Sequence, residues 1–192
     1  MTMAGDAVLQ RNLERFRTLA EQEGLVEVAY KTMDTPIGRL LLAATHTGLV
    51  RIAFAEDVDD ALVELSATLS PRLLEMPRRL HEVHEQLDRY FSKTLTDFDL
   101  ELDLSLLTPF SRRVLDGTSA IRYGSYETYS EVAAGIGSPR AARAVGNAVA
   151  ANPIPLVIPC HRVLRAGGLL GKYGGGVERK RFLLELEGAI GR

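Results

Sequence analysis

The sequence predicts an α+β protein, in which an N-terminal α/β domain with a small antiparallel sheet precedes a mostly helical C-terminal domain that carries a helix-turn-helix. Three observations support this class. Short strand-like runs alternate with turn residues before residue 55, helical periodicity dominates after residue 105, and 192 residues with 46% hydrophobic content can bury one large core or two small ones. We expect a helical extension over residues 1–24 and domains over residues 25–104 and 105–192.

The elements of the N-terminal domain follow from periodicity and turn residues. Apolar residues close to a 3.6-residue period predict a helix over residues 9–23, ended by Gly24, that packs on the domain or on a partner. Three strands are expected as an antiparallel meander, at residues 26–30, 39–44 and 49–54. Two helices are expected next, at residues 58–69 and 78–91, and then an edge strand or linker at residues 97–103.

His81 and His84 lie three residues apart on the second of these helices and could in principle share a metal ion. A protein zinc site needs four ligands, and neither a cysteine nor another clustered histidine accompanies this pair. We therefore expect the two histidines at the helix surface and the edge of the core, and no metal site.

The C-terminal domain begins with two helix signals. The Thr-Pro pair at residues 108–109 is typical of a helix start and predicts a helix over residues 110–120. Thr128, followed three residues later by Glu131, forms a capping box that opens a short helix over residues 129–134.

Two glycines within residues 135–137 break that short helix, and Ser138 and Pro139 are expected to cap and begin a second helix that runs to about residue 151. Helix, short glycine turn and helix form the helix-turn-helix pattern. The second helix is expected to bury Ala141, Val145, Ala148 and Val149. Its other face is expected to carry Arg140, Arg143 and Asn147. Its small side chains would let the backbone approach a partner closely, although a tight helix-helix contact would use the same residues.

The net charge of -2 divides unevenly along the chain. Residues 1–110 hold 11 basic and 19 acidic residues, a net -8, whereas residues 111–192 hold 12 basic and 6 acidic residues, a net +6. A basic module joined to an acidic domain is typical of nucleic-acid binding, and an uneven solvated surface would give the same numbers. The sequence shows no apolar run long enough for a membrane span and no secretory signal, and its single cysteine cannot form an internal disulfide, so we expect a cytoplasmic protein.

That single cysteine, Cys160, is followed directly by His161. It could be a buried hydrophobe, an inert thiol or a nucleophile. If a helical turn begins at Pro159, free backbone N–H groups of the first turn would lower the pKa of the thiol. Successive side chains diverge, so His161 is expected to take the thiol proton through a water molecule rather than by direct contact.

Several motifs surround this pair. The run Pro-Cys-His-Arg-Val at residues 159–163 is preceded by Asn152-Pro153 and followed by a glycine-rich segment over residues 171–176 and by Arg-Lys-Arg with a Leu/Glu run over residues 179–187. Upstream, residues 140–146 read Arg-Ala-Ala-Arg-Ala-Val-Gly. With these motifs, residues 123–188 resemble the O6-alkylguanine-DNA alkyltransferase family, the methylated-DNA–protein-cysteine methyltransferases.

The resemblance implies a ribonuclease H-like fold for the N-terminal domain and a winged-helix-like fold for the C-terminal one. It also implies DNA repair by direct reversal, in which the alkyl group of O6-alkylguanine moves to Cys160 once per protein molecule and no cofactor is used. The implied partner is double-stranded DNA that contains O6-alkylguanine, bound through its minor groove by a monomer. Inserted side chains and flipped bases are general solutions for reaching an atom hidden by stacking.

The resemblance also implies the roles of individual residues. Glu187 would orient His161, which would deprotonate Cys160, while Tyr129 would rotate the phosphate and donate to guanine N3, and Asn152 would brace the turn that holds the site. The implied DNA-binding residues are Tyr129, Arg140, Ala142, Arg143, which would insert into the base stack, Ala144, Gly146 and Asn147. The implied substrate pocket is lined by Pro155, Val163, Tyr173 and Gly174, and the glycine run over residues 174–176 would form its mobile wall.

Three other functions stay open. A cysteine hydrolase with a Cys-His-Glu arrangement would use the same residues without needing a helix-turn-helix that bears Arg143. A non-enzymatic module that binds alkylated DNA would keep the fold without the nucleophile, against which Cys160 argues directly. A transcription regulator with a structural cysteine would bind duplex DNA sequence-specifically without alkyl transfer.

Overall fold

The computed structural model describes residues 3–191, so residues 1, 2 and 192 of the predicted extension and C-terminal domain lie outside the described residues. Helix α1 (Met3–Gln22) precedes the strands and helices of the N-terminal part, which are β1 (Val28–Thr35), β2 (Gly38–Ala44), β3 (Leu49–Phe54), α2 (Val58–Thr68), β4 (Leu73–Glu75) and α3 (His81–Phe91). The C-terminal part contains α4 (Pro109–Ser119), β5 (Glu127–Thr128), α5 (Tyr129–Gly135), α6 (Ala142–Ala150), β6 (Val163–Leu164) and α7 (Val177–Glu187). None of the helices between residues 3 and 191 combines the length and the apolar character needed to cross a membrane.

The sheet of the N-terminal part has the order β3-β2-β1-β4. Strands β1, β2 and β3 pair antiparallel, which confirms the predicted meander. Strand β4 was not predicted and pairs parallel with β1, so the sheet is mixed rather than purely antiparallel. Its three residues are too few to show the period-two alternation by which a strand is recognised in a sequence.

Helix α1 begins at Met3 and is longer than predicted. The sequence left open whether its apolar residues pack on the domain or on a partner. Of its apolar residues Ala20 is buried, whereas Leu9 and Phe16 are each more than half exposed, so the apolar stripe does not pack on the domain. The helix is attached by Arg17, which donates hydrogen bonds to the carbonyl oxygen and to the carboxylate of Glu75 at 2.6 Å each.

One apolar core spans both parts of the chain. Residues of the sheet and of α3, such as Leu40 and Leu87, share this core with Leu156 and Leu183 from the C-terminal part, and all four are fully buried. A backbone hydrogen bond of 2.9 Å from Ile52 to the carbonyl of Pro153 joins β3 to the loop that leads to Cys160. The segment that carries the thiol is therefore packed directly on the N-terminal sheet.

The helix-turn-helix is present, with one correction to its second helix. Thr128 and Glu131 form the predicted capping box of α5. However, α6 begins at Ala142 rather than at Pro139, and the predicted cap by Ser138 is wrong because the N-cap is Ala141, which makes no side-chain cap. Residues 138–141 instead form a turn closed by a 2.8 Å bond from Ala141 N–H to the Ser138 carbonyl, and proline fits the second position of such a turn as well as the first position of a helix.

The two faces of α6 are as predicted except at Ala141, which was expected to be buried but is the half-buried N-cap residue before the helix. Val145, Ala148 and Val149 are buried, whereas Arg143 and Asn147 are exposed. The buried face packs on α4 and α5, and the exposed face is open to solvent. Arg140 is also exposed but lies in the turn before the helix.

Candidate active site

The loop before the cysteine is held by the side chain of Asn152. Its Nδ2 donates a 2.8 Å hydrogen bond to the Ile158 carbonyl, and its Oδ1 accepts a 3.0 Å bond from the Ile154 N–H. Leu156, within this loop, has a φ of +76°, a conformation that costs a non-glycine residue about 1–3 kcal/mol and persists only where the surroundings enforce it. The amide bonds of Asn152 and the burial of Leu156 provide that enforcement and fix the position of Cys160.

Cys160 opens a single 3-10 turn, Cys160–Arg162, that follows Pro159. Its thiol is buried, with 5% of the residue exposed. Burial raises the pKa of the thiol, against the opposing effects of the Asn152 side chain, the positive charge of Lys180 and the backbone N–H groups of Cys160 and His161. The turn begins at Cys160 rather than at Pro159, and the expected lowering by backbone N–H groups is present but is outweighed by desolvation of the thiolate.

His161 and Glu187 form a buried pair next to the cysteine. Nε2 of His161 lies 2.7 Å from Oε1 of Glu187, and both side chains are inaccessible to solvent. Burial lowers the pKa of His161, although the hydrogen bond and charge of Glu187 oppose it. A neutral imidazole that donates from Nε2 has an unprotonated Nδ1, and this Nδ1 is buried without a hydrogen-bond partner among residues 3–191. The pair therefore presents a free basic nitrogen inside the protein.

Arg162 keeps the Glu187 carboxylate ionised. Its Nε donates to Oε2 at 2.8 Å and its Nη2 to Oε1 at 3.1 Å, while its Nη1 donates to the Ile121 carbonyl at 2.6 Å. Burial alone would raise the pKa of Glu187, but the hydrogen bonds and charges of His161 and Arg162 outweigh it and lower the pKa to about 2. Since the guanidinium is permanently charged, it favours the ionised carboxylate even beside a neutral His161.

A cavity of about 290 Å³ opens onto Cys160. Three of the predicted pocket residues, Pro155, Tyr173 and Gly174, line it, and so does Asn152. The predicted pocket residue Val163 does not line this cavity but is fully buried in the apolar cluster around Cys160. The opposite wall comes from β3, α2 and the turn between them, and its lining residues include Phe54, Asp57, Asp60 and Glu64.

The glycine-rich wall of this cavity is packed against the N-terminal part. A Cβ atom at Gly175 would lie 2.5 Å from the ring of Phe54, so no larger residue fits there. The same segment is held by Arg179, whose guanidinium donates to the carbonyls of Gly175 and Ile37 at 3.0 and 2.6 Å.

Tyr129 lies on the other side of the thiol, towards α6. It packs in the same apolar cluster as Cys160 and Val145, and it lies against Gly146, where an added Cβ would be 3.8 Å from its ring. Burial raises the pKa of the Tyr129 hydroxyl, and the neighbouring Cys160 acts in the same direction. The hydroxyl therefore stays protonated at neutral pH and can serve as a hydrogen-bond donor.

Known proteins resemble this chain over both parts. Residues 109–189 match the family model for the DNA-binding domain of 6-O-methylguanine DNA methyltransferase, and residues 28–104 match the model for its ribonuclease-like domain. A methylated-DNA–protein-cysteine methyltransferase from Mycolicibacterium paratuberculosis is 45% identical over 160 residues, which cover 83% of this chain and 92% of that relative. The chain belongs to the methylated-DNA–protein-cysteine methyltransferase family.

Solved structures of methyltransferases agree with this assignment. The crystal structure of the Mycobacterium tuberculosis protein OGT in complex with DNA matches with a TM-score of 0.73 and 43% identity over 84% of this chain and 93% of that one. The O6-methylguanine-DNA methyltransferase of Pyrococcus kodakaraensis matches with a TM-score of 0.60 and 26% identity over 84% of this chain and 99% of that one. The α+β fold class predicted from the sequence is confirmed.

Three residues of this methyltransferase site were missed in the sequence. Lys180 is fully buried, and its Nζ donates a 2.6 Å hydrogen bond to the Val163 carbonyl. Burial lowers the pKa of Lys180 to about 8, against the effect of Cys160. The other two residues are Arg162 and Tyr90, which donate hydrogen bonds to the carboxylate of Glu187.

Two of these three residues could have been recognised from the methyltransferase sequence. Lys180 precedes Glu187 by seven residues, so it lies on the same buried face of α7, and Arg162 belongs to the Pro-Cys-His-Arg-Val motif itself. Tyr90 is 97 residues away from Glu187 along the chain, and no spacing rule links them.

The two histidines of α3 lie outside the methyltransferase site. His81 is exposed beside Glu85, and the partly buried His84 lies 2.6 Å from Nζ of Lys31 and 3.1 Å from Asp88, as expected for a helix surface and a core edge. Over the part of the chain that the structure describes, no three His, Cys, Asp or Glu side chains are grouped as metal ligands.

Proposed function

We propose that this methyltransferase repairs O6-alkylguanine in double-stranded DNA by direct reversal, moving the alkyl group to the sulfur of Cys160. The observation that carries the proposal is the position of the thiol, at a cavity of about 290 Å³ and beside the buried His161–Glu187 pair. A methylated-DNA–protein-cysteine methyltransferase is 45% identical to this chain over 160 residues, and a structural neighbour at 43% identity was solved in complex with DNA.

The first step is deprotonation of the thiol. The proton of Cys160 passes through a water molecule to Nδ1 of His161, the ring nitrogen that has no hydrogen-bond partner within the described residues 3–191. Glu187 stabilises the imidazolium that forms, through its 2.7 Å bond to Nε2. Lys180 and Asn152 favour the thiolate, since both lower the pKa of Cys160 against its burial.

The second step is substitution at the alkyl carbon. The thiolate forms an S–C bond while the C–O6 bond breaks, and the electron pair stays on guanine O6. Tyr129 offsets the charge on the departing base by donating a hydrogen bond from its hydroxyl to guanine N3, a role that fits a hydroxyl kept protonated by burial. The residues of the chain suffice for these steps, and the product is an S-alkyl cysteine.

The DNA-binding surface is the exposed side of α6. Arg143, Ala144 and Asn147 are exposed there, Ala142 and Gly146 are half-buried, and Arg140 precedes the helix. We propose that this helix enters the minor groove, that its small residues let the backbone approach the sugars, and that Arg143 inserts where the target nucleotide leaves the stack. Since every group of the site comes from one chain, the protein is expected to act as a monomer.

Incubation with an excess of duplex that contains O6-methylguanine tests the proposed function. A thioether is a poor leaving group, and a saturated carbon on sulfur offers no carbonyl for a water molecule to attack, so repair is expected to stop at one equivalent per protein. The intact mass is expected to rise by one methyl group in place of one hydrogen, on the peptide that contains Cys160. Unmodified duplex is the control. Sustained turnover would contradict the proposal and favour a hydrolase.

Arg143→Ala is expected to slow repair of duplex much more than reaction with free O6-benzylguanine. Extruding a base costs a few kcal/mol, so losing the inserted side chain should reduce the duplex rate by about 10- to 100-fold, while the free base needs no extrusion. Single-turnover rates on both substrates measure the difference. Arg39→Ala, which removes an exposed arginine from β2, is the matched control. Equal losses on the two substrates would place Arg143 outside the extrusion step.

A further inference from the structure

Tyr90, on α3 of the N-terminal part, reaches the carboxylate of the C-terminal site. Its hydroxyl donates a 2.6 Å hydrogen bond to Oε1 of Glu187, the oxygen that also accepts from His161 Nε2 at 2.7 Å and from Arg162 Nη2 at 3.1 Å. Burial raises the pKa of Tyr90, and the neighbouring Glu187 adds to this, so the hydroxyl remains a donor throughout the range in which histidine titrates.

Packing alone does not account for this hydroxyl. The residue is fully buried on the inner face of α3 with Val83 and Leu87, and its ring lies 5.4 Å from the centroid of Phe98 and 6.2 Å from that of Tyr123. A phenylalanine would fill the same space without bringing a hydroxyl that must be desolvated. The hydroxyl is therefore explained by its bond to Glu187, which offsets the cost of burying it.

Other charged or titratable groups face the same pair. Arg162 grips both carboxylate oxygens from the 3-10 turn, and Lys180 approaches from α7. Tyr123 and Tyr173 lie near Glu187 without a hydrogen bond to its carboxylate, and Cys160 adjoins His161 in the chain. The two hydrogen bonds from Arg162 already fix the orientation of the carboxylate. The hydrogen bond from Tyr90 therefore acts mainly by reducing the negative charge on Oε1.

We propose that Tyr90 is a positioning residue that sets the basicity of His161, by sharing the charge on Oε1 of Glu187 with the imidazole. This inference rests on the proposed function, in which neutral His161 accepts the thiol proton. It also gives the N-terminal part a direct role in the reaction. Without the hydroxyl, more negative charge on Oε1 faces His161, the imidazolium is stabilised, and a higher pH is needed to make the base neutral.

The test is the pH profile of alkyl transfer from free O6-benzylguanine, measured from about pH 4 to about pH 9 so that a histidine pKa lowered by burial is spanned. In Tyr90→Phe the acidic limb of the pH–rate profile is expected to move to higher pH by up to about one to two units, the scale set by one hydrogen bond to a charged group. Tyr123→Phe is the matched control, since its hydroxyl donates at 3.4 Å to the Leu186 carbonyl and not to the carboxylate. The acidic limb of the Tyr123→Phe profile is expected to lie at the same pH as that of the wild type.

Replacing Tyr90 by 3-fluorotyrosine provides a second test that leaves packing and hydrogen bond in place. The fluorinated phenol is a stronger donor, so the limb is expected to move to lower pH, opposite to Tyr90→Phe. A lower rate with an unmoved limb in both variants would reduce Tyr90 to a structural residue and overturn the inference. Failure of the wild type itself to transfer the benzyl group would instead contradict the proposed function.

Discussion

Cys160→Ser is expected to lose alkyl transfer completely while keeping the fold and the affinity for DNA. Serine matches the size of the buried cysteine, so the 3-10 turn and the bonds of Asn152 should remain. A hydroxyl, however, is a far weaker acid than a thiol, and a neutral His161 cannot ionise it. The chain has no second cysteine to replace Cys160, so no other thiol can accept the alkyl group.

Intact-protein mass after incubation with alkylated duplex measures the loss in Cys160→Ser, and circular dichroism and a DNA titration measure what remains. Cys160→Ala is a useful companion, since it removes both the sulfur and the hydroxyl and should behave in the same way. Transfer by Cys160→Ser at a rate comparable to that of the wild type would remove Cys160 from the role of nucleophile.

Glu187→Gln is expected to cost about 3–5 kcal/mol of stability, the typical cost of breaking a buried ion pair by removing one partner. The Arg162 guanidinium is 6% exposed and would be left buried without a counter-charge. The amide also presents an NH₂ group to a site where three donors now converge on Oε1 alone. Alkyl transfer should fall as well, because the imidazolium loses its partner.

Urea unfolding measures the loss of stability, and its pH dependence gives a second signature. The pKa of Glu187 is lowered to about 2, so its contribution, of the order of 3 kcal/mol, is complete above the ordinary glutamate pKa of about 4.3 and is lost as the pH falls towards 2. Glu187→Gln should lack this acid-dependent component. Glu56→Gln, which breaks an exposed pair with Arg179, is the control and should cost only a small fraction as much. Equal costs would contradict the buried network.

The sequence was most informative where local chemistry decides the structure. Thr128 and Glu131 form their capping box because both partners lie within one turn of the chain. Cys160, His161 and Glu187 could be grouped through their motif; in the structure all three residues are buried, and Nε2 of His161 lies 2.7 Å from Oε1 of Glu187.

Long-range and competing effects account for what the sequence did not reveal. Tyr90 meets Glu187 only through the packing of α3 on the C-terminal part. The start of α6 was misplaced because Ser138 and Pro139 suit a turn as well as a helix cap. The net rise in the pKa of Cys160 was not predicted because backbone dipoles can be inferred from local sequence, whereas full desolvation depends on the whole surrounding structure.

The raised pKa of Cys160 has a consequence for the lifetime of the unreacted protein. Oxidation to sulfenic acid or to a mixed disulfide requires a thiolate that oxidants can reach, and this thiol is both buried and held in its neutral form. A protein that uses its single cysteine once benefits directly from such shielding, because a molecule whose cysteine is already oxidised can no longer repair a lesion. A small thiolate fraction is thus the counterpart of chemical durability.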